Sequence, residues 1–273
     1  MDPVAALVAS LGASWWSTLM AAGVSDGELR GAVRRGTVRT DKDGTYWLPE
    51  ADPDVLLAAR LRGRLTCCSA ATRYGIDVLS RPLKPHIAVP RNRPSRTDEA
   101  VIHRADTLGR GIVVPVLGAL LTLVRCLPTV EAVVALDCAV RQRQVRLSAV
   151  RSRLQGPGSV EARRRLDLVD GRSGSVIESV LRLALRQAGL RVDCQVLIAG
   201  VGRVDLVIGG WLVIEVDGFA YHSERAQYRA DRARSNALAV RGYALLRFTY
   251  EDVMHRLPET VATVVEVHGR GRV

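Results

Sequence analysis

Lysine is almost missing from this chain. Among 39 basic residues only Lys42 and Lys84 are lysines, and residues 156–273 have none. Any role that needs a lysine is therefore excluded from the C-terminal part, and the positive charge rests on arginine. Aromatic residues are also scarce, at 4%, so the core that a 48% apolar content permits has to be largely aliphatic. No apolar run is long enough to span a bilayer. The greasiest stretch, residues 111–124, has 14 uncharged positions before Arg125 and reads as a buried helix. The opening Met1-Asp2-Pro3 lacks the basic start of a secretory signal. Cysteines are few and odd in number: Cys67, Cys68, Cys126, Cys138 and Cys194, with no C-x-x-C. This excludes a disulfide framework and leads us to expect reduced, buried thiols in the cytoplasm, with no zinc site.

What is present in excess is positive charge, +11 overall with a pI near 10.2. Such a balance suits nucleic acid, an anionic surface or an acidic protein. It is uneven: residues 1–155 carry a net +8 and residues 156–273 a net +3. At 273 residues the chain is long enough for two or three compact units.

Residues 1–50 read as helix, turn, helix and hairpin. A short apolar helix contains Trp15, Trp16 and Leu19. Ser25-Asp26-Gly27-Glu28 is a capping box that opens a second helix, stopping near Gly36. A hairpin turns at Asp43-Gly44. This order is a winged helix-turn-helix pattern, with Arg30, Arg34, Arg35 and Arg39 on or beside the second helix and wing as candidate phosphate contacts. Residues 51–155 read as a second, small α+β domain. It has strands at 86–90 and 101–103, helices near 115–125 and 129–141, and Ser69 as a candidate helix cap. His86 and His103 are a candidate pair, or simply satisfied core histidines. The runs Gly23-Val24-Ser25, Glu28-Leu29-Arg30, Val33-Arg34-Arg35-Gly36, Gly44-Thr45-Tyr46 and Cys68-Ser69-Ala70-Ala71-Thr72 resemble the N-terminal region of AbiEi-type winged-helix antitoxins. The resemblance implies DNA binding and names no target.

Glycine-rich breaks make 156–174 a linker, and residues 175–273 then alternate cleanly. A helix is predicted from Ser175 to Gly189, and strands at 192–198, 203–208 and 211–216. A long helix over about 224–241 ends at Gly242, a continuously apolar strand at 243–248 should be central, and a last helix follows Pro258. The expected class is α/β (α+β), a mixed sheet flanked by helices.

The carboxylates of this region stand at strand ends. Asp205 lies in Arg203-Val204-Asp205, and Glu215 and Asp217 lie in Ile214-Glu215-Val216-Asp217-Gly218-Phe219-Ala220-Tyr221-His222. Acids gathered on apolar strands are costly unless a cation meets them, and a divalent ion is the economical partner. Glu178, three residues after Ser175, suits a capping box. Asp205 could instead pair with Arg203, and His222 either moves a proton near neutral pH or serves as a hydrogen bonder at a helix start. If Gly209-Gly210 made a two-residue turn, Asp205 and Glu215 would face opposite sides; a three-residue turn or a bulge puts them together.

Helix, strand with Asp, strand with Glu-x-Asp, helix and strand together resemble the restriction-endonuclease-like (PD-(D/E)XK) fold. More closely they resemble the very-short-patch-repair endonucleases and a domain family related to them. Arg203-Val204-Asp205, the 217–222 run, Arg229-Ala230-Asp231-Arg232 and Gly242-Tyr243-Ala244-Leu245-Leu246-Arg247 carry the likeness. It implies Mg²⁺ (or Mn²⁺) on Asp205, Glu215, Glu178 and Asp217, with His222 moving a proton. Phe219 and Tyr221 would wedge between bases or pack in the core. The partner implied is DNA, with no membrane; a homodimer stays open. One departure matters: the superfamily lysine two residues after the glutamate is Asp217 here. Three readings follow: an endonuclease or nickase of DNA repair or phage defence, a DNA-binding regulator with a degenerate nuclease fold, and, third, an RNA nuclease.

Overall fold

A computed structural model describes residues 1–93, 97–106, 109–217 and 225–271. The chain divides into two compact units, Met1–Leu127 with Ser152–Gln155, and Pro128–Arg151 with Gly156–Val273.

The first unit begins with α1 (Pro3–Ala9), β1 (Ala13–Trp15), α2 (Trp16–Ala21), α3 (Asp26–Arg34), β2 (Arg39–Thr40) and β3 (Thr45–Trp47). The three strands form one antiparallel sheet in the order β1-β3-β2. The capping box of α3 is present: the Ser25 amide donates to Glu28 at 2.8 Å, and the Glu28 amide to Ser25 Oγ at 3.3 Å. Leu7, Leu19, Leu29, Val38 and Leu48 close this core. Trp15 was expected in a helix but lies in β1, because its backbone pairs with Thr45 of β3 while its indole N–H donates to the Ala59 carbonyl at 2.7 Å. Then come α4 (Pro53–Arg60), β4 (Arg64–Leu65), α5 (Cys67–Arg73), β5 (His86–Pro90), β6 (Val101–Ala105) and α6 (Val116–Cys126). Their sheet has the order β4-β5-β6, with β5 and β6 parallel. Helix α5 starts before Ser69. That serine is buried and accepts the His86 amide at 2.9 Å instead of capping the helix.

The second unit contains α7 (Thr129–Arg141), and after α8 (Leu147–Arg153) come α9 (Val160–Asp167) and α10 (Val176–Gln187). Strands β7 (Val192–Ile198), β8 (Gly202–Ile208) and β9 (Leu212–Asp217) follow, then α11 (Arg225–Val240), β10 (Ala244–Thr249), α12 (Tyr250–His255) and α13 (Leu257–Gly269). The sheet order is β10-β9-β8-β7, parallel only between β9 and β10. The succession predicted from periodicity is present, with α12 added. The position of β10 is not the expected one. It is an edge strand among the described residues, only half-buried, and Arg247 and Thr249 are exposed. An unbroken apolar run reads as central, but here α11 and α12 pack on the strand and take up that apolar surface.

Helix α10 is held by a buried ionic network. Arg182 and Asp137 of α7 are both fully buried, 2.6 Å apart. Asp137 also accepts from Ser179 Oγ and the Asp170 amide, each at 2.7 Å. Arg182 further donates to the Leu168 carbonyl at 2.8 Å and to Ser173 Oγ at 3.1 Å. A buried pair is tolerable only when its remaining hydrogen-bonding capacity is met in this way. The network fixes α10, and with it the start of the helix where Glu178 stands.

Candidate carboxylate site

Strand pairing brings the candidate acids together. Ile208 pairs with Leu212, leaving the three-residue turn Gly209-Gly210-Trp211, and Leu206 pairs with Ile214. Continued by one residue, this register sets Asp205 across from Glu215 on the same face of the sheet. The two-residue turn that would have separated them is not formed. The Asp205 carboxylate takes the next β9 amide itself: Val216 N–H donates to its Oδ2 at 3.0 Å. Arg203 is exposed, and the hydrogen bonds of Asp205 go to Val216 and Gln195.

Glu178 reaches the same place from α10. Its Oε2 accepts the Gly174 amide at 2.7 Å and Gln195 Nε2 at 2.8 Å, and its Oε1 accepts Ser175 Oγ–H at 3.0 Å. Gln195 Nε2 also donates to Asp205 Oδ1 at 3.2 Å, so one side-chain amide spans the two carboxylates. Sequence reasoning missed Gln195. The available signal was a lone amide in the apolar strand β7, two strands away from Glu215. Its backbone is in the left-handed region, φ +52°, between the ladder pairs Cys194–Leu206 and Val196–Val204. A non-glycine residue held there costs about 1–3 kcal/mol, and such strain tends to gather at functional sites. Gly174 completes the cradle. A Cβ there would sit 2.8 Å from Glu178 Oε1 and 3.2 Å from Gln195 Nε2.

The electrostatics of the acids differ. Burial, reinforced by the neighbouring Glu178 carboxylate, holds the Asp205 carboxyl above the usual aspartate value, against the opposing pull of the Val216 amide. Glu215 is buried but compensated. Arg247, its register partner on β10, lies 3.1 Å from Oε2, and Arg234 of α11 lies 2.8 Å from Oε1. The Arg234 contact is an ion pair without hydrogen-bond alignment, so the buried Oε1 accepts no hydrogen bond. Sequence analysis singled out neither arginine for this role. Asp217 is half-buried at the end of β9, two residues beyond Glu215 and so on the same side by the pleat. His222, Phe219 and Tyr221 lie outside the described residues.

The donors gathered here are carboxylate oxygens, the set a hard divalent cation takes. The Glu178–Asp205 pair fits such an ion best: burial and the neighbouring carboxylate disfavour the ionised form of Asp205, and both acids are positioned by one amide. No helix among the described residues is long and apolar enough to cross a membrane. A search of curated proteins returns no match. Residues 178–267 match the family model REase_MTES_1575, of a restriction-endonuclease-like family. The matched segment starts at Glu178 and takes in Gln195, Asp205, Glu215, Asp217, Arg234 and Arg247. The C-terminal unit thus carries a restriction-endonuclease-like domain, with the acids of the candidate site inside it.

Proposed function

We propose that this protein is a metal-dependent DNA endonuclease or nickase, with its basic N-terminal region supplying DNA affinity. The observation that carries this reading is the Glu178–Gln195–Asp205 constellation, facing Glu215, within the segment similar to a nuclease family. Glu178 and Asp205 would hold Mg²⁺ or Mn²⁺, with Glu215 and Asp217 as further oxygen donors. The ion would neutralise charge on the phosphate and acidify a bound water. Gln195 keeps the two carboxylates oriented. Arg234 and Arg247 supply fixed positive charge where Asp217 has replaced the superfamily lysine. His222 is proposed as the group that moves a proton, and Phe219 and Tyr221 as base-wedging side chains.

For the N-terminal region we propose a winged helix. Support comes from the order α1-β1-α2-α3-β2-β3, the sheet order β1-β3-β2, and the exposure of Arg30, Arg34, Arg35 and Arg39. Arg30 is partly committed to Asp26 of its own helix, so Arg34 and Arg35 are the stronger phosphate contacts. The role we propose is very-short-patch-type repair or phage defence, with antitoxin-like regulation as the second reading. One observation favours the regulator: Glu215 is already neutralised by two arginines, which a catalytic metal would have to displace.

The test is incubation of the full-length protein with mismatched, plain and single-stranded DNA, with and without Mg²⁺ or Mn²⁺. Metal-dependent cleavage is expected from the wild type and absent from Asp205→Asn, with DNA affinity retained. Wild-type protein that binds DNA and cuts none of these substrates would transfer the reading to the regulator.

A further inference from the structure

The first unit holds a second group of ligand-type side chains, chemically unlike the carboxylates. One ligand atom each from Cys67, His86, His103 and Cys126 lies within 4.8 Å of all the others. His86 Nδ1 is 3.0 Å from His103 Nε2 and 3.8 Å from Cys126 Sγ. A tetrahedral zinc ion, with Zn–N near 2.0–2.1 Å and Zn–S near 2.3 Å, requires roughly 3.3 Å between two nitrogens and about 3.6 Å between nitrogen and sulfur. These two spacings lie within a few tenths of an ångström of those values. We propose that Cys67, His86, His103 and Cys126 form a structural Zn²⁺ site that ties four elements of the first unit together.

The folding of the region explains the convergence. Cys67 opens α5 directly after β4, and β4 is antiparallel to β5, where His86 is the first residue. The Thr66 amide donates to the His86 carbonyl at 2.8 Å, and the His86 amide to Ser69 Oγ at 2.9 Å, which clamps the start of α5 against the start of β5. In the parallel β5–β6 pair, His86 is opposite Val101 and Ala88 is opposite His103, so both histidines project from the same face. Their rings stack with centroids 5.2 Å apart. Cys126 is the last residue of α6, which packs on α5. Cys67 sits at φ +52°, a left-handed conformation that a non-glycine adopts only when its surroundings impose it. Cys68, next in sequence, is buried and hydrogen-bonds to Cys67 and His86, but its sulfur is not among the four mutually close ligand atoms.

Two thiolates and two imidazoles are soft and borderline donors that select zinc over Mg²⁺ or Mn²⁺. Four protein ligands leave no open position, so the ion would be structural, and each thiol would release its proton on binding. The expectation of no zinc site rested on the missing C-x-x-C. The four ligands instead come from positions 67, 86, 103 and 126, which only tertiary folding brings together.

The experiment uses the full-length chain purified without chelators. Elemental analysis should find about one zinc per chain. Cobalt substitution should give thiolate-to-cobalt charge transfer and the intense d–d bands of tetrahedral Co²⁺. Cys126→Ser and His103→Ala should each lose the zinc, whereas Asp205→Asn should keep it, which separates this site from the carboxylates. Chelator should lower the melting temperature of wild type but not of Cys126→Ser. If the variants prove insoluble, the cobalt spectrum of wild type decides by itself. Folded wild type without zinc, zinc that survives Cys126→Ser, a cobalt spectrum lacking thiolate bands, or a Cys67–Cys126 disulfide in protein purified under reducing conditions would each overturn the proposal.

Discussion

The two units each gather ligand-type side chains, but by different physics. The carboxylate site is built on one sheet and one helix start, within a segment of about forty residues from Glu178 to Asp217. Its acids are charged, so bringing them together is unfavourable, and Gln195, Arg234, Arg247 and backbone amides have to hold them. The Cys/His cluster joins α5, β5, β6 and α6 and carries no such scaffold of opposite charge. Cys67 and His86 are buried, His103 is half-buried and Cys126 is exposed, and thiols and imidazoles can pack together without the repulsion that carboxylates feel. Charge-compensated carboxylates beside the strained Gln195 fit a site that must release its ligand, and a cluster of four Cys and His ligands fits one that keeps it.

Four perturbations sharpen this contrast. The largest effect is expected at the support of α10. Arg182→Met leaves Asp137 buried without its cation and should cost about 3–5 kcal/mol. Urea unfolding of the full chain measures it; a loss below about 1 kcal/mol would show that the network does not hold the helix. Next comes Gly174→Ala, whose added methyl group intrudes on Glu178 and Gln195. Divalent-ion affinity, read by calorimetry, should drop about 10–100-fold, the usual cost of disturbing groups that orient metal ligands. The zinc content of the first unit should not change, and equal damage to both would break the distinction between the sites.

Gln195→Gly should weaken divalent-ion binding by about tenfold or more while leaving thermal stability unchanged or higher, since it removes the bridging amide and also the left-handed strain. Lower stability with intact ion binding would make Gln195 a folding residue only. The smallest effect is pH-dependent. The folded-state pKa of Asp205 is raised, so the stability it contributes is fully present below the ordinary aspartate value and is lost as pH rises through the raised one. Metal-free Asp205→Asn should therefore gain on wild type in melting temperature as pH rises from about 4 to about 7. Added Mg²⁺ should stabilise wild type more at the upper end. A difference independent of pH would mean that Asp205 is not destabilised by its surroundings.

Much of this could be read from the chain because it depends on local order. Apolar periodicity gave α10, β7 and β8 close to their observed limits, Gly242 marked the end of the polar helix α11, and the capping box at Ser25 acts within four residues. Asp205 and Glu215 stood out as acids at the ends of apolar runs, and Glu178 by its place three residues after Ser175 on a helix. Trp15 was misread because a strand of three residues is defined by its partner, and α1 passed unread. The edge position of β10 was hidden because an apolar run records burial without recording whether a helix or another strand covers it.

The sequence by itself determined the basic, arginine-borne charge, the order of helices and strands in the C-terminal unit, and the acids on which a nuclease reading rests. Only the tertiary structure decided that a three-residue turn sets Asp205 against Glu215, that Gln195 joins Asp205 to Glu178, and that Arg234 and Arg247 neutralise Glu215. It alone also assembled Cys67, His86, His103 and Cys126. The reason is range. Periodicity and capping act over a few residues and leave a trace along the chain, whereas compensation of charge and convergence of ligands join residues that have no shared pattern until the chain has folded.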